Sequence, residues 1–97
     1  MMVNITFWTL NLDLPPSKLA EVAAKLMQKG LWPVKGTKLI GFYVSPGGRG
    51  VTITEGGDAD TDMQSFLAWD KELPGIFVSY ETVSALPAEK AIEMVLK

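Results

Sequence analysis

The spacing of apolar residues along the chain switches between a period of two and a period of about 3.6, and this predicts where strands and helices lie. Residues 3–10 are rich in β-branched and aromatic side chains, with apolar residues alternating from Val3, which predicts a first strand. Apolar residues recur every three or four positions across residues 19–27, between Pro15–Pro16 and Gly30, which predicts a first helix.

The middle of the chain predicts a hairpin. The apolar run at residues 38–45 is too short and too rich in β-forming residues to be a helix, so we expect a second strand there. The sequence Pro46-Gly47-Gly48 is typical of a tight turn, and β-branched residues follow at 51–55. The second and third strands are therefore expected to pair as antiparallel neighbours.

The rest of the chain predicts a second helix, a fourth strand and a further helix. Thr61 and Gln64 have the spacing of a capping box, so the second helix is expected to begin at Thr61, with Trp69 beside its inward face. Its expected inward-facing residues are Met63, Phe66 and Leu67. Residues 76–83 alternate and predict a fourth strand, and residues 87–97 predict an amphipathic helix that docks on a neighbouring surface. This order predicts a ferredoxin-like βαββαβ sandwich, an α+β fold with an antiparallel sheet and an extra C-terminal helix.

The composition of the chain excludes several classes of function. The chain has 97 residues, 47% of them hydrophobic and 21% charged, so we expect a single domain spanning residues 1–97. It has no cysteine and no histidine, which excludes disulfides, thiolate chemistry, the Ser-His-Asp relay and the usual ligands of zinc and haem iron. The net charge is -2, with basic residues scattered, so nucleic acid is not an expected partner. Neither a signal peptide nor a membrane span is apparent, and we expect a soluble cytoplasmic protein.

Two segments resemble ligand-binding loops without completing their patterns. The glycine-rich turn lacks the Lys-Ser/Thr ending of a phosphate loop and precedes a strand rather than a helix. Asp58, Asp60 and Asp62 match three positions of a calcium loop. However, Met63 and Trp69 stand where that loop requires glycine and glutamate. We therefore expect no metal and no cofactor.

Alternation within each strand assigns residues to the two faces of the sheet. We expect the helices to cover Val3, Ile5, Phe7, Val51, Ile53, Ile76, Val78 and Tyr80. The opposite face then carries aromatic, aliphatic, hydroxyl, amide and carboxylate groups, namely Asn4, Thr6, Trp8, Leu10, Thr52, Thr54, Phe77, Ser79, Glu81 and Val83. The second strand is apolar on both faces.

A mixed, exposed face of this kind predicts an interaction surface. We expect a second copy of the chain to cover it through Trp8 and Phe77, which gives a homodimer with a small-molecule pocket between the two sheets. The expected ligand-binding residues are Asn4, Thr6, Trp8, Thr52, Thr54, Phe77, Ser79 and Glu81. In the alternative interpretation, the hydroxyl and amide groups simply solvate an exposed sheet face.

The segment from Lys38 to Val83 combines a glycine-rich hairpin, a strand ending in Glu55, a helix holding Trp69 and a last strand. In these features the chain resembles the dimeric α/β-barrel superfamily of ferredoxin-like domains, and more narrowly a small domain-of-unknown-function family within it. The resemblance implies the fold and a homodimer. The superfamily also contains cofactor-free quinol monooxygenases, haem-degrading enzymes and lactone isomerases, and Asn4 is similar to the strand-one asparagine of the monooxygenases. The haem enzymes ligate iron through histidine, which this chain lacks.

Three functions remain open at this point. The first is a non-catalytic homodimeric module that binds or senses a small, partly apolar molecule. The second is a cofactor-independent monooxygenase or isomerase acting on an aromatic or quinol-like substrate, with Glu81 or Glu55 as a base whose pKa is raised by burial. The third is a structural interaction domain without a ligand.

Overall fold

The helices and strands of the chain form one antiparallel sheet with two helices on one face. The computed structural model describes residues 2–96. Its elements are β1 (Val3–Leu10), α1 (Ser17–Gln28), β2 (Lys38–Val44), β3 (Arg49–Glu55), α2 (Ala59–Glu72), β4 (Phe77–Ala85) and α3 (Ala88–Leu96). The strands lie in the order β2-β3-β1-β4, and each pair of neighbours is antiparallel. The predicted ferredoxin-like α+β fold, with a helix added after β4, is confirmed.

The sequence pattern predicted helix α1 more accurately than helix α2. In α1 the residues buried against the sheet are those of the apolar repeat, Leu19, Val22, Ala23 and Leu26, whereas Met27 is exposed. In α2 the capping residue is Asp58 rather than Thr61. The Asp58 carboxylate accepts a hydrogen bond from the backbone N–H of Thr61 at 3.0 Å, and the backbone N–H of Asp58 donates to the Thr61 hydroxyl at 2.7 Å. This reciprocal pair begins α2 two residues earlier than predicted.

The inward face of α2 is also displaced from the prediction. Met63 and Leu67 are exposed, whereas Trp69 is buried and only 2% accessible. Trp69 packs edge-on to Trp32, with ring centroids 5.1 Å apart, and contacts Phe77 at 5.4 Å. The tryptophans are thus core residues, and Trp69 lies at the centre of the core rather than beside it.

The prediction of which sheet face the helices cover is wrong for β1 and β3. Trp8 is 2% accessible and lies beneath the helices with Asn4 and Thr6, while Phe7 is 51% accessible on the other side. Thr52 of β3 is buried with them. The expected residues that do face the helices are Ile76 and Tyr80, and Val78 is exposed. Alternation grouped the residues within β1 and within β3 correctly, but apolar residues on both faces left undetermined which face the helices cover.

Trp8 determines this assignment. Its ring stacks at a tilt against Phe42 and Phe77, with centroids 5.7 and 5.4 Å away. Its neighbour across the strand pair is Gly50, and a Cβ atom at that position would overlap the indole ring. The Trp8 ring therefore fits on the helix side of the sheet because Gly50 of β3 has no side chain there.

The other side of the sheet is covered by nothing in the described chain. We call it the open face; its apolar residues are Val3, Ile5, Phe7, Tyr43, Val51, Ile53 and Val83, and its polar residues include Thr9, Arg49, Ser79 and Glu81. Helix α3 likewise contacts no other helix or strand among residues 2–96, and its apolar residues Ile92 and Val95 are exposed. An apolar sheet face and an apolar helix are thus without partners among the residues that the structure describes. No helix within residues 2–96 is long and apolar enough to cross a membrane.

Replacing Gly50 with alanine should destabilise the protein. The added methyl group would meet the buried Trp8 ring, and overpacking of this kind costs about 1–3 kcal/mol. Gly47 is the matched control, because a Cβ there meets nothing within 4 Å and its φ is not positive. Chemical denaturation of both variants measures the difference. Equal stability of Gly50→Ala and wild type would show that Trp8 does not lie over Gly50.

Candidate functional site

A group of polar side chains lies on the helix-covered face of the sheet, where apolar residues are the rule. We call it the inner polar cluster, and its members are Asn4, Thr6, Thr52, Thr54, Asp62, Ser65, Tyr80 and Thr82. The β1 and β3 residues Asn4, Thr6 and Thr52 are buried. The cluster occupies the end of the sheet at which β1 begins, whereas the aromatic core fills the rest of this face.

Asn4 uses both ends of its amide. The Nδ2 group donates to the backbone oxygen of Gly56 at 3.0 Å, and the Oδ1 atom accepts a hydrogen bond from Ser84 Oγ at 3.1 Å. These partners come from the segment after β3 and from β4, so the amide connects both neighbours of β1. Burial of an amide without such bonds would be costly.

The threonines of the cluster are also paired. The hydroxyls of Thr6 and Thr82 lie 2.8 Å apart on neighbouring strands, and the indole Nε1–H of Trp8 donates to Thr52 Oγ1 at 2.9 Å. No buried side-chain N or O atom among the described residues lacks a hydrogen-bond partner. The cluster is therefore a satisfied network rather than a set of isolated polar groups.

Helix α2 adds ionisable groups to this network. The Tyr80 hydroxyl lies 3.3 Å from Ser65 Oγ, to which it donates. Burial raises the pKa of Tyr80 above its ordinary value, and the nearby Asp62 charge adds to the effect, although hydrogen bonds with Ser65 and Thr6 oppose it. Burial likewise raises the pKa of Asp62, partly offset by a hydrogen bond with Thr82. A neutral tyrosine and a partly desolvated carboxyl group thus face the same space.

The cluster borders two spaces that share Asp62 and Tyr80 as lining residues. The inner one has a volume of about 20 Å³, room for about one water molecule, between the sheet, α2 and the segment after α1. Asp62 and Tyr80 also line a wider cleft of about 350 Å³, open to solvent. We call the second space the entrance cleft, and its lining is Ala59, Asp62, Met63, Phe66, Tyr80 and Thr82. It combines apolar walls with a polar floor.

A separate cavity of about 230 Å³ lies at the other end of the sheet. It is formed by the β1–α1 loop, the start of α1 and the β2–β3 turn, and it is mainly apolar, with Leu10, Leu14, Leu19 and Ile76 among its lining residues. None of the predicted ligand-binding residues lines it. It lacks the convergent polar groups of the inner polar cluster.

The structure brings together only part of the predicted set of site residues. Four predicted residues, Asn4, Thr6, Thr52 and Thr54, line the inner space. The two predicted aromatic residues are core residues: Trp8 donates to Thr52 at the edge of the cluster, and Phe77 packs against Trp8. Because Trp8 and Phe77 are internal, the prediction that they form the dimer face is wrong.

Ser79, Glu81 and Glu55 lie on the opposite side of the sheet, away from the inner polar cluster. Ser79 is paired with Thr9, and Glu81 with Phe7, on the open face. An irregularity in the β1–β4 pairing beside Thr9 separates them from Phe77, which faces the helices. The prediction that Ser79 and Glu81 share one face with Asn4 is therefore wrong.

Four members of the cluster, all on α2 and β4, were not among the predicted site residues, namely Asp62, Ser65, Tyr80 and Thr82. The sequence holds a signal for the first of these. Asp62, Phe66 and Trp69 are spaced by four and three residues and so share one face of a helix. Once Trp69 is recognised as the buried residue, Asp62 is drawn inward with it. Within residues 2–96, no group of three or more Asp or Glu residues could hold a metal ion.

Comparison with known proteins identifies the family. The family model described as Domain of unknown function (DUF3303) matches residues 2–97, and the chain therefore belongs to this family. No curated protein matches the chain.

Solved structures share the fold at low sequence identity. A NIPSNAP family protein of unknown function from Agrobacterium tumefaciens is 16% identical, with a TM-score of 0.58 over 90% of this chain and 87% of that one. A putative antibiotic biosynthesis monooxygenase from Nitrosomonas europaea is 13% identical, with a TM-score of 0.58 over 90% and 98%. An uncharacterized NIPSNAP domain protein from Burkholderia xenovorans is 16% identical, with a TM-score of 0.54 over 90% and 94%. These likenesses show the fold.

The raised pKa of Asp62 predicts a pH dependence of stability. The folded protein holds this proton more tightly than the unfolded chain, so the stabilisation from the neutral acid is complete below the unfolded-state pKa of about 3.9 and is lost as pH rises through the folded-state pKa. The melting temperature of wild type minus that of Asp62→Asn should therefore fall as pH rises from about 4 to 7. Asp60→Asn, in the same helical turn, controls for removal of a carboxylate. A difference that is flat or rises with pH would contradict the burial of Asp62.

Proposed function

We propose that this family member is a homodimeric module that binds a small, partly apolar, uncharged molecule at the inner polar cluster. One observation carries the proposal: a hydrogen-bonded polar network on the buried sheet face borders the entrance cleft through Asp62, Tyr80 and Thr82. Small-molecule sites combine apolar walls with a few convergent polar groups, and the cleft has this composition. Phe66 and Met63 supply the walls, and Tyr80, Thr82 and Asp62 supply the floor.

The charge of the cleft indicates the class of ligand. Its single ionisable acid is Asp62, and no lysine or arginine lines either the cleft or the inner space. A phosphate or carboxylate would approach a carboxyl group without a compensating cation, which is unfavourable where water is partly excluded. A neutral aromatic or polyene-like molecule can instead pack on Phe66 and Tyr80 and exchange hydrogen bonds with Thr82.

The open face supports the homodimer. Its residues Val3, Ile5, Phe7, Val51 and Ile53 form an apolar surface on β1 and β3, the two central strands, and nothing within residues 2–96 covers them. Contiguous apolar surfaces of this kind on a small domain mark interaction sites. A second copy presents the same surface, so two chains can bury both at once.

A second candidate function is an enzyme that moves protons, such as a cofactor-independent isomerase or monooxygenase. The observation that favours it is the pairing of Asp62 with Tyr80 at the cleft, because a desolvated carboxyl group is a suitable acid or base and a buried phenol is a suitable hydrogen-bond donor. The name of the Nitrosomonas europaea protein, a putative antibiotic biosynthesis monooxygenase, is consistent with this candidate. In this function Asp62, rather than Glu81 or Glu55, would be the catalytic residue.

Ligand screening tests the binding function. Quinones and flavonoids should raise the melting temperature, whereas nucleotides and sugar phosphates should not, because a ligand that binds only the folded state stabilises it. For a binding quinone or flavonoid, Phe66→Ala should weaken affinity by about tenfold through the loss of an aromatic wall. Leu12→Ala, in the separate apolar cavity, is the matched control.

The same screen distinguishes the rival functions. Loss of binding in Leu12→Ala but not in Phe66→Ala would move the site to the apolar cavity. Consumption of a bound compound, abolished by Asp62→Asn, would favour the enzyme. No stabilisation by any compound, together with native mass spectra showing no retained ligand, would favour a purely structural interaction domain.

Replacing Phe7 with aspartate should produce a monomer. Phe7 is 51% accessible on the open face, so the change should leave the chain folded but would bury an unpaired charge in the dimer. Met63→Asp, at a side chain that is 58% accessible on the helix side, is the matched control and should stay dimeric. Sedimentation of both variants measures the result. A wild-type protein that is monomeric at high micromolar concentration would overturn the homodimer.

A further inference from the structure

Two oppositely charged side chains stand on the open face, on the strands that flank β1. Arg49 begins β3 opposite Thr9, and Glu81 lies on β4 opposite Phe7. Both border one depression of about 260 Å³ on this face, together with Phe7, Thr9 and Ser79. The ion pairs within residues 2–96 are Lys18–Glu21 and Lys29–Glu72, which involve neither residue. The two charges are thus available to a second molecule.

The strand order places these charges symmetrically about β1. Each lies one strand spacing, about 4.8 Å, from β1, but on opposite sides of it. Along the strand direction they differ by two residues, or about 7 Å. A two-fold axis parallel to β1 and above it would exchange the positions of β3 and β4 between two copies. Such an axis brings the glutamate of one copy over the strand that holds the arginine of the other.

We propose that two copies pack open face to open face about this axis, with Arg49 of each chain paired with Glu81 of the other; the inference rests on the proposed homodimer and specifies its geometry. The residues on the axis are then Val3, Ile5 and Phe7, which meet their own copies in an apolar strip. Ile53 and Val83, paired with Ile5 from either side, face each other across the interface.

The same geometry explains why an ion pair is needed at this position. Val51 and Glu81 both pair with Phe7, from opposite sides, so the axis places the glutamate over Val51 of the other chain. A carboxylate over an apolar surface requires a nearby cation. Arg49 is two residues from Val51 on the same face of β3, and its long side chain reaches this carboxylate. An axis perpendicular to the strands would instead place Arg49 over the partner's β3, away from the glutamate.

Charge-reversal variants test the pairing in trans. Arg49→Glu sets glutamate against glutamate in its homodimer, and Glu81→Arg sets arginine against arginine, so each should raise the dimer dissociation constant at least about tenfold. In an equimolar mixture both contacts of the mixed dimer join opposite charges. The mixed dimer should therefore form with nearly wild-type affinity, and native mass spectrometry separates it from both homodimers by mass. Lys71→Glu, on α2, controls for the change in net charge and should leave dimerisation unchanged.

Each alternative outcome has a distinct meaning. Single variants that dimerise as well as wild type, or variants that are monomeric alone and do not associate when mixed, would overturn the Arg49–Glu81 pairing while leaving the homodimer in place. Recovery in the Arg49→Glu, Glu81→Arg double variant without recovery in the mixture would show that the two charges interact within one chain, which also overturns the proposal. A monomeric wild-type protein would overturn the homodimer itself. Circular dichroism of each variant confirms that it is folded.

Discussion

The packing of Trp8 across Gly50 is the contact on which the arrangement of the sheet depends. Successive residues of a strand face opposite sides, so once the indole of Trp8 lies beneath the helices, Thr6 and Asn4 must lie there too and Phe7 must face outward. The hydrogen bond from Trp8 Nε1 to Thr52 Oγ1 places the Thr52 side of β3 beneath the helices as well. The aromatic core, the inner polar cluster and the apolar open face are three consequences of this one placement.

The inner polar cluster is not explained by stability alone. Its hydrogen bonds connect β1 with β4 and with the segment after β3, but the net gain from each buried hydrogen bond is only about 1 kcal/mol, and apolar residues of the same shape serve a core as well. The cluster lies next to an aromatic core that shows how this sheet is filled when only packing is required. A network that is fully satisfied yet borders a cleft at Asp62 and Tyr80 is therefore the observation that supports the proposed binding function.

The sequence predicted the elements and their order because these depend on local signals. Periodicity defined α1, and the proline-glycine turn defined the β2–β3 hairpin. The assignment of sheet faces could not be predicted in this way, since β1 and β3 carry apolar residues on the face that is left open, as an interface would require. The irregularities beside Thr9 in β1 and between Leu39 and Gly41 in β2 break strict alternation, and neither leaves a clear mark on the sequence. For this reason Phe77 and Glu81 were expected on one face, although the structure separates them.

The corrected assignment changes how the proposed ligand site relates to the proposed dimer. A pocket between two sheets would need residues from both copies, so it would disappear in a monomer. The inner polar cluster and its entrance cleft are instead built from β1, β3, β4 and α2 of a single chain, on the side of the sheet that faces away from the second copy. Thr6 and Phe7 are adjacent in sequence, yet Thr6 is buried beside the proposed site and Phe7 is exposed on the proposed dimer face. A site completed within one chain can be altered without breaking the dimer, and the dimer can be broken without removing any residue that lines the site.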